Sequence, residues 1–95
     1  MDKDVASALL DAFVQKLRER TYSDLCKMIK NPQCEEVVGP DGKAYQIEFE
    51  AFCDNPRKAG ENLRIIVSID DGAWSSIRPM CDSFIMARDG SFVAE

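Results

Sequence analysis

Histidine is missing from this 95-residue sequence altogether. Without an imidazole there is no Ser–His or Cys–His nucleophile pair and no HExxH zinc site. The side chain that ordinarily serves as a general base near neutral pH is also gone. A close-spaced cysteine pair is missing too. Cys26, Cys34, Cys53 and Cys81 lie far apart, so a four-cysteine zinc centre would have to form without the usual knuckles. No apolar run approaches the length of a membrane span. The N-terminus starts Met1-Asp2-Lys3-Asp4 and lacks a basic segment followed by an apolar one, so no signal peptide is expected.

An excess of positive charge is likewise missing. Lys and Arg number 12 against 17 Asp and Glu, for a net charge of −5, and the two signs are interspersed. A nucleic-acid binder needs a concentrated basic face, as does a protein that docks on anionic lipid, so neither partner is expected. Glycine and proline are few and no stretch is of low complexity, which argues against disorder beyond the ends. The expectation is a cytoplasmic protein with reduced cysteines. Its length suits one domain over 1–95, helical over 1–32 and sheet over 33–95.

The chain is organised around residues 43–70. Over 43–53, Tyr45, Ile47, Phe49, Ala51 and Cys53 alternate with Ala44, Gln46, Glu48, Glu50 and Phe52. Over 63–70, Leu63, Ile65, Val67 and Ile69 alternate with Arg64, Ile66, Ser68 and Asp70. A period of two with aromatic and β-branched residues on one parity predicts two half-buried antiparallel strands.

Before them, residues 4–20 carry apolar side chains at helical spacing, with Val5, Leu9, Phe13 and Leu17 on one line, widened by Ala6, Leu10 and Val14, and Asp4 as the expected cap. That stripe is wide, as if it touched a second helix or a second subunit. Thr21-Tyr22-Ser23-Asp24 resembles a capping box and predicts a short second helix with Leu25, Met28 and Ile29 inward. Asn31-Pro32 ends it, with Asn31 suited to a left-handed turn. Short strands are expected over 34–38, 73–77, 83–87 and 91–94, with 78–82 irregular around Pro79. Three Asp-Gly pairs, at 41–42, 71–72 and 89–90, turn the chain between them. The predicted fold is α+β: two N-terminal helices on one face of a four- to five-stranded antiparallel meander.

Motifs for chemistry are weak. Gly39-Pro40-Asp41-Gly42-Lys43 has Val37 and Ala44 where a phosphate loop needs glycine and a hydroxyl, so it reads as a hairpin turn. The Asp-Gly turns fail the calcium-loop spacing, with Val37, Val67 and Ile85 at the first ligand position. Glu48 and Glu50 leave one face of a strand, an arrangement more typical of a solvated face than of paired catalytic carboxylates, with Arg64 as a cross-strand partner. Cys53, on the parity of Phe49, reads as a small core residue. Arg57-Lys58 is too small a cluster for nucleic acid, and Ser75-Ser76 lacks any base. No metal or cofactor is expected.

Three residues break the pattern: Phe52 and Ile66 stand on the polar parity, and Trp74 follows a turn with Arg78 four residues on. An exposed aromatic beside arginine is the composition of an interface hot spot. The leading expectation is therefore a non-enzymatic module that binds a protein partner or forms a homodimer through Phe52, Ile66, Trp74 and Arg78. A small-molecule binder or enzyme using Glu48, Glu50 and Cys53 is the second reading. An acidic inhibitor of a basic protein is the third.

Overall fold

The computed structural model describes residues 2–53, 62–71 and 80–93. Helix α1 spans Lys3–Arg18 and α2 spans Tyr22–Cys26. The strands are β1 (Gln33–Val38), β2 (Ala44–Cys53), β3 (Asn62–Asp70), β4 (Met80–Ala87) and β5 (Phe92–Val93). They form one sheet in the order β1-β2-β3-β4-β5, each antiparallel to the next. The expected α+β meander is the fold found.

Asp2, not Asp4, caps α1: its carboxylate accepts from the backbone N–H groups of Asp4 (3.0 Å) and Val5 (3.1 Å). Asp4 instead adds negative charge to the first turn, where the helix dipole favours it. At the other end the N–H groups of Glu19 and Arg20 reach back three residues to Lys16 and Leu17. This tightened turn closes the helix two residues before the expected end. Ala6, Leu10, Phe13, Val14 and Leu17, all of the expected stripe, are the buried residues of α1, which turns the Ala6–Leu10–Val14 side most fully to the core. Val5 and Leu9 pack at the margin of the core, and the wide stripe is used within the chain.

Thr21 caps α2, accepting from Asp24 N–H at 3.1 Å. Asp24, one methylene shorter than glutamate, pairs forward with Lys27 at 3.6 Å. Leu25 and Met28 are buried as expected, and Ile29 is partly buried against the core. The left-handed residue is Lys30 (φ 57°) rather than Asn31. The kink comes one residue early because Ile29 is held in a parallel bridge to Ala51. That bridge covers the part of β2 that runs beyond β1.

Tyr45, Ile47, Phe49 and Ala51 of β2 interlock with Leu63, Ile65, Val67 and Ile69 of β3, and both helices press on this side. Phe13 meets Phe49 with ring centroids 4.9 Å apart. Each such side chain removed from water contributes roughly 1.5–3 kcal/mol. On the far side of the core, Phe84 and Met86 of β4 complete the layer.

Strand β4 starts at Met80, so 80–82 are not irregular as expected. Met80, Cys81 and Asp82 pair with Ile69, Ser68 and Val67; ladder pairing outweighs their poor strand propensity. The Asp41-Gly42 and Asp89-Gly90 turns are present, with left-handed glycines (φ 77° and 90°). The turn at 71–72, the strand at 73–77, and the clusters Arg57-Lys58 and Ser75-Ser76 fall wholly or partly outside the described residues.

Candidate functional site

Pairing register decides which side chains share the face away from the helices. Glu36, Gln46 and Asp70 lie across neighbouring strands in one row. The next row is Cys34, Glu48, Ser68 and Cys81; the one after it holds Glu50, Ile66 and Ser83. The last is Phe52, Arg64, Ile85 and Val93. Among the described residues no helix covers this face. Along the strands it runs from the exposed Val38 (67%) through the acidic Glu36 and Glu48 to an apolar stretch around Phe52.

Phe52 is 43% exposed and Val93 37%. Ile66 is half-buried, diagonal to Phe52 across the β2–β3 pair. Ile85 is 4% exposed although it points away from the helices. The register places Phe52 and Ile66 diagonally on one face of the sheet. Trp74 and Arg78 lie outside the described residues. Ile85 and Val93 were missed. The signal was legible in Phe84-Ile85-Met86, where three successive apolar residues make both faces of a strand apolar.

Glu48 and Glu50 do share this face, Glu48 exposed and Glu50 half-buried. Arg64 stands opposite Phe52 and diagonal to Glu50, not directly across from either glutamate. A hollow of about 50 Å³ touches Glu48, Glu50, Ile66 and Ser68, room for little more than a water molecule. Cys53 leaves the opposite side of β2, so the sheet separates it from both carboxylates. These three residues form no common site.

All four cysteines are thiols. Cys26 and Cys53 are half-buried, and Cys34 and Cys81 are exposed. Cys34 bonds to Gln46 Oε1 at 3.4 Å. Among the described residues no three carboxylates or thiols gather as a metal-ligand set.

Larger hollows border the helices among the described residues, including one of about 440 Å³ between Thr21–Ser23 and Arg88–Gly90. A second, of about 340 Å³, is bordered by Arg20, Asp24, Lys27, Gln33, Glu35 and Phe49. The Asp24–Lys27 pair and Arg20 over the Phe49 ring (5.8 Å) already engage its charges. Another, about 370 Å³, runs beside Arg18 and Phe84. There the Arg18 guanidinium sits 4.2 Å from the Phe92 centroid and 5.8 Å from that of Phe84. This cation–π contact ties α1 to the last strands.

The groups with shifted pKa values are Asp41, Tyr45, Asp89 and Tyr22. Tyr45 donates to Asp41 at 2.7 Å. That bond lowers the Asp41 pKa and, with burial, raises the tyrosine to about 12. Hydrogen bonds from the Ser91 hydroxyl and N–H lower Asp89. Burial, then the Cys26 thiol, raises Tyr22. Each explains a local structure, and none marks a catalytic pair.

Comparison with protein families, with curated proteins and with solved structures finds no match for this chain.

Proposed function

We propose that this protein is a non-enzymatic interaction module that docks a partner protein through the helix-free face of its sheet. The observation that carries this reading is the row in which the exposed Phe52 (43%) and Val93 (37%) flank Arg64 and the buried Ile85, with Ile66 diagonal to Phe52. An aromatic side chain beside arginine and β-branched residues on a rigid strand is what a preorganised binding centre requires. The strands hold these side chains at fixed spacing, so little conformational freedom is lost on docking.

Alanine at Phe52 and Ile66 tests the reading. Association is measured by native mass spectrometry and sedimentation velocity, and capture of partners by quantitative affinity purification. Loss of association or capture, with the far-ultraviolet circular dichroism unchanged, is the expected result. Unchanged association and unchanged capture would refute it.

A further inference from the structure

We infer that Cys26 and Cys53 form a thiol–disulfide switch, in which oxidation joins the two sulfurs and locks α2 over the end of β2. Parity is the first ground. Cys34 pairs with Glu48, Glu48 with Ser68 and Ser68 with Cys81, so Cys34 and Cys81 lie in one row of the helix-free face. Cys53 pairs instead with Leu63, and Leu63 with Met86, both buried on the helix side. Cys26 belongs to α2 and packs against that same core. The sheet therefore sorts the four thiols into two pairs, and Cys53 has Cys26 alone on its own side.

Position is the second ground. The first turn of α2 shares a hollow with Arg88, Asp89 and Gly90, just past Met86 of β4. Further along, Ile29 bridges Ala51 of β2. The segment thus crosses the end of the sheet from β4 to β2, over the Cys53–Leu63–Met86 row. Cys26 lies one tightened turn before the bridge, its carbonyl accepting from Ile29 N–H at 3.1 Å. Cys53 lies two residues beyond Ala51, about 7 Å at roughly 3.3 Å per residue. Both thiols stand half-buried at this corner. The Tyr22 hydroxyl senses both: its pKa is raised by burial, then by Cys26, and further by Cys53.

The lock has something to hold. Strand β1 pairs with β2 no further than Phe49. Among the described residues, the backbone pairing beyond it on that edge is Ile29 with Ala51. An uncovered strand edge invites pairing with another chain, and a bond from Cys26 to Cys53 would keep the cover in place. The co-reactant is a low-molecular-weight disulfide. One protein thiolate attacks it and releases one small thiol; the second then attacks the mixed disulfide and releases the other. Two electrons and two protons pass from the cysteines to the small disulfide, which leaves as two thiols.

The test treats the full chain, as wild type and as Cys34→Ser with Cys81→Ser, with oxidised glutathione. Intact mass and peptide mapping should find a Cys26–Cys53 bond in a monomer two hydrogens lighter than the reduced chain. The oxidised protein should melt on the order of 10 °C higher than the reduced one. Hydrogen exchange at Leu25, Lys27, Met28 and Ile29, whose amides bond within α2 and its turn, should slow at least about tenfold. Adding Cys53→Ser should abolish both shifts. Glutathione capping the two thiols separately, bonds only between chains, or an intramolecular bond to Cys34 or Cys81 would overturn the pairing. Mapping of the wild-type chain decides this whatever the serines do to folding. A Cys26–Cys53 bond that leaves melting and exchange unchanged would overturn the lock.

Discussion

Replacing Gly39 by alanine adds one methyl group at a crowded turn. A Cβ there would lie 2.7 Å from Asp41 Oδ1, 3.0 Å from Val5 Cγ1 and 3.1 Å from Tyr45 Cε2. None of the three yields easily. Asp41 accepts from the Tyr45 hydroxyl through Oδ2 (2.7 Å) and from Lys43 N–H through Oδ1 (3.2 Å). Swinging it away would break both bonds. Tyr45 is fully buried, and Val5 belongs to the first turns of α1. Overpacking of this kind costs about 1–3 kcal/mol. Losing a glycine from the unfolded chain returns about 0.4–1 kcal/mol. The clash wins, and a net loss of about 1–2 kcal/mol is expected. For a chain of this size the corresponding fall in melting temperature is about 4–8 °C per kcal/mol. The urea midpoint should fall while the m-value stays constant, because the native contact surface is otherwise unchanged. Adding Val5→Ala removes one of the three opposing groups. The double variant should therefore be destabilised by less than the sum of the single changes. An unchanged or raised midpoint for Gly39→Ala, or strict additivity with Val5→Ala, would refute the steric account.

Alkaline pH supplies a second check. Because the fold holds the Tyr45 proton to about 12 against an ordinary 10.0, the folded state binds more protons than the unfolded chain across that interval. Stability is then fully present below pH 10 and is lost as pH rises towards 12. Denaturation midpoints should fall over this window and fall less steeply in Tyr45→Phe. Phenolate absorbance from both tyrosines at pH 10 in still-folded protein would contradict it. Asp41 runs the other way: its lowered pKa contributes stability above the ordinary value of 3.8 that is lost as pH drops through the folded one. A third prediction concerns thiols. Cys34 and Cys81 lie in one row but are separated by β2 and β3, about 14 Å at roughly 4.8 Å per strand. A disulfide needs Cα atoms within about 7 Å. With Cys26 and Cys53 changed to serine, mild oxidation should give disulfide-linked dimers on non-reducing gels and no intramolecular bond. A fast-migrating oxidised monomer would refute the register.

Much of the fold was legible because its signals are local. Alternation over 44–53 and 62–70 needs only the pleat of the strand, and Asp41-Gly42 and Asp89-Gly90 need only the left-handed freedom of glycine. The errors arose where a distant partner decides. Met80–Asp82 became strand because β3 offered a ladder. The left-handed residue moved to Lys30 because Ile29 bridges Ala51, a contact 22 residues away that no local propensity encodes. The cap moved to Asp2 because two acidic residues could each serve, and spacing alone does not choose between them.

Alternation alone puts Phe52 and Ile66 on their face, because a strand side chain can leave only one of two faces. It likewise makes Cys53 and Glu48 part company across β2, and the composition excludes imidazole chemistry. Adjacency came from strand pairing, which no local pattern encodes. The pairings Phe52–Arg64, Arg64–Ile85 and Ile85–Val93 join residues from four strands into one row, with the carboxylates of Glu36, Glu48 and Glu50 along the same face. Register between strands is set by burial of the opposite, helix-facing side, where a slip of one residue would turn Ile47, Ile65 and Phe84 out to water. The packing of the hidden face thus positions the exposed one.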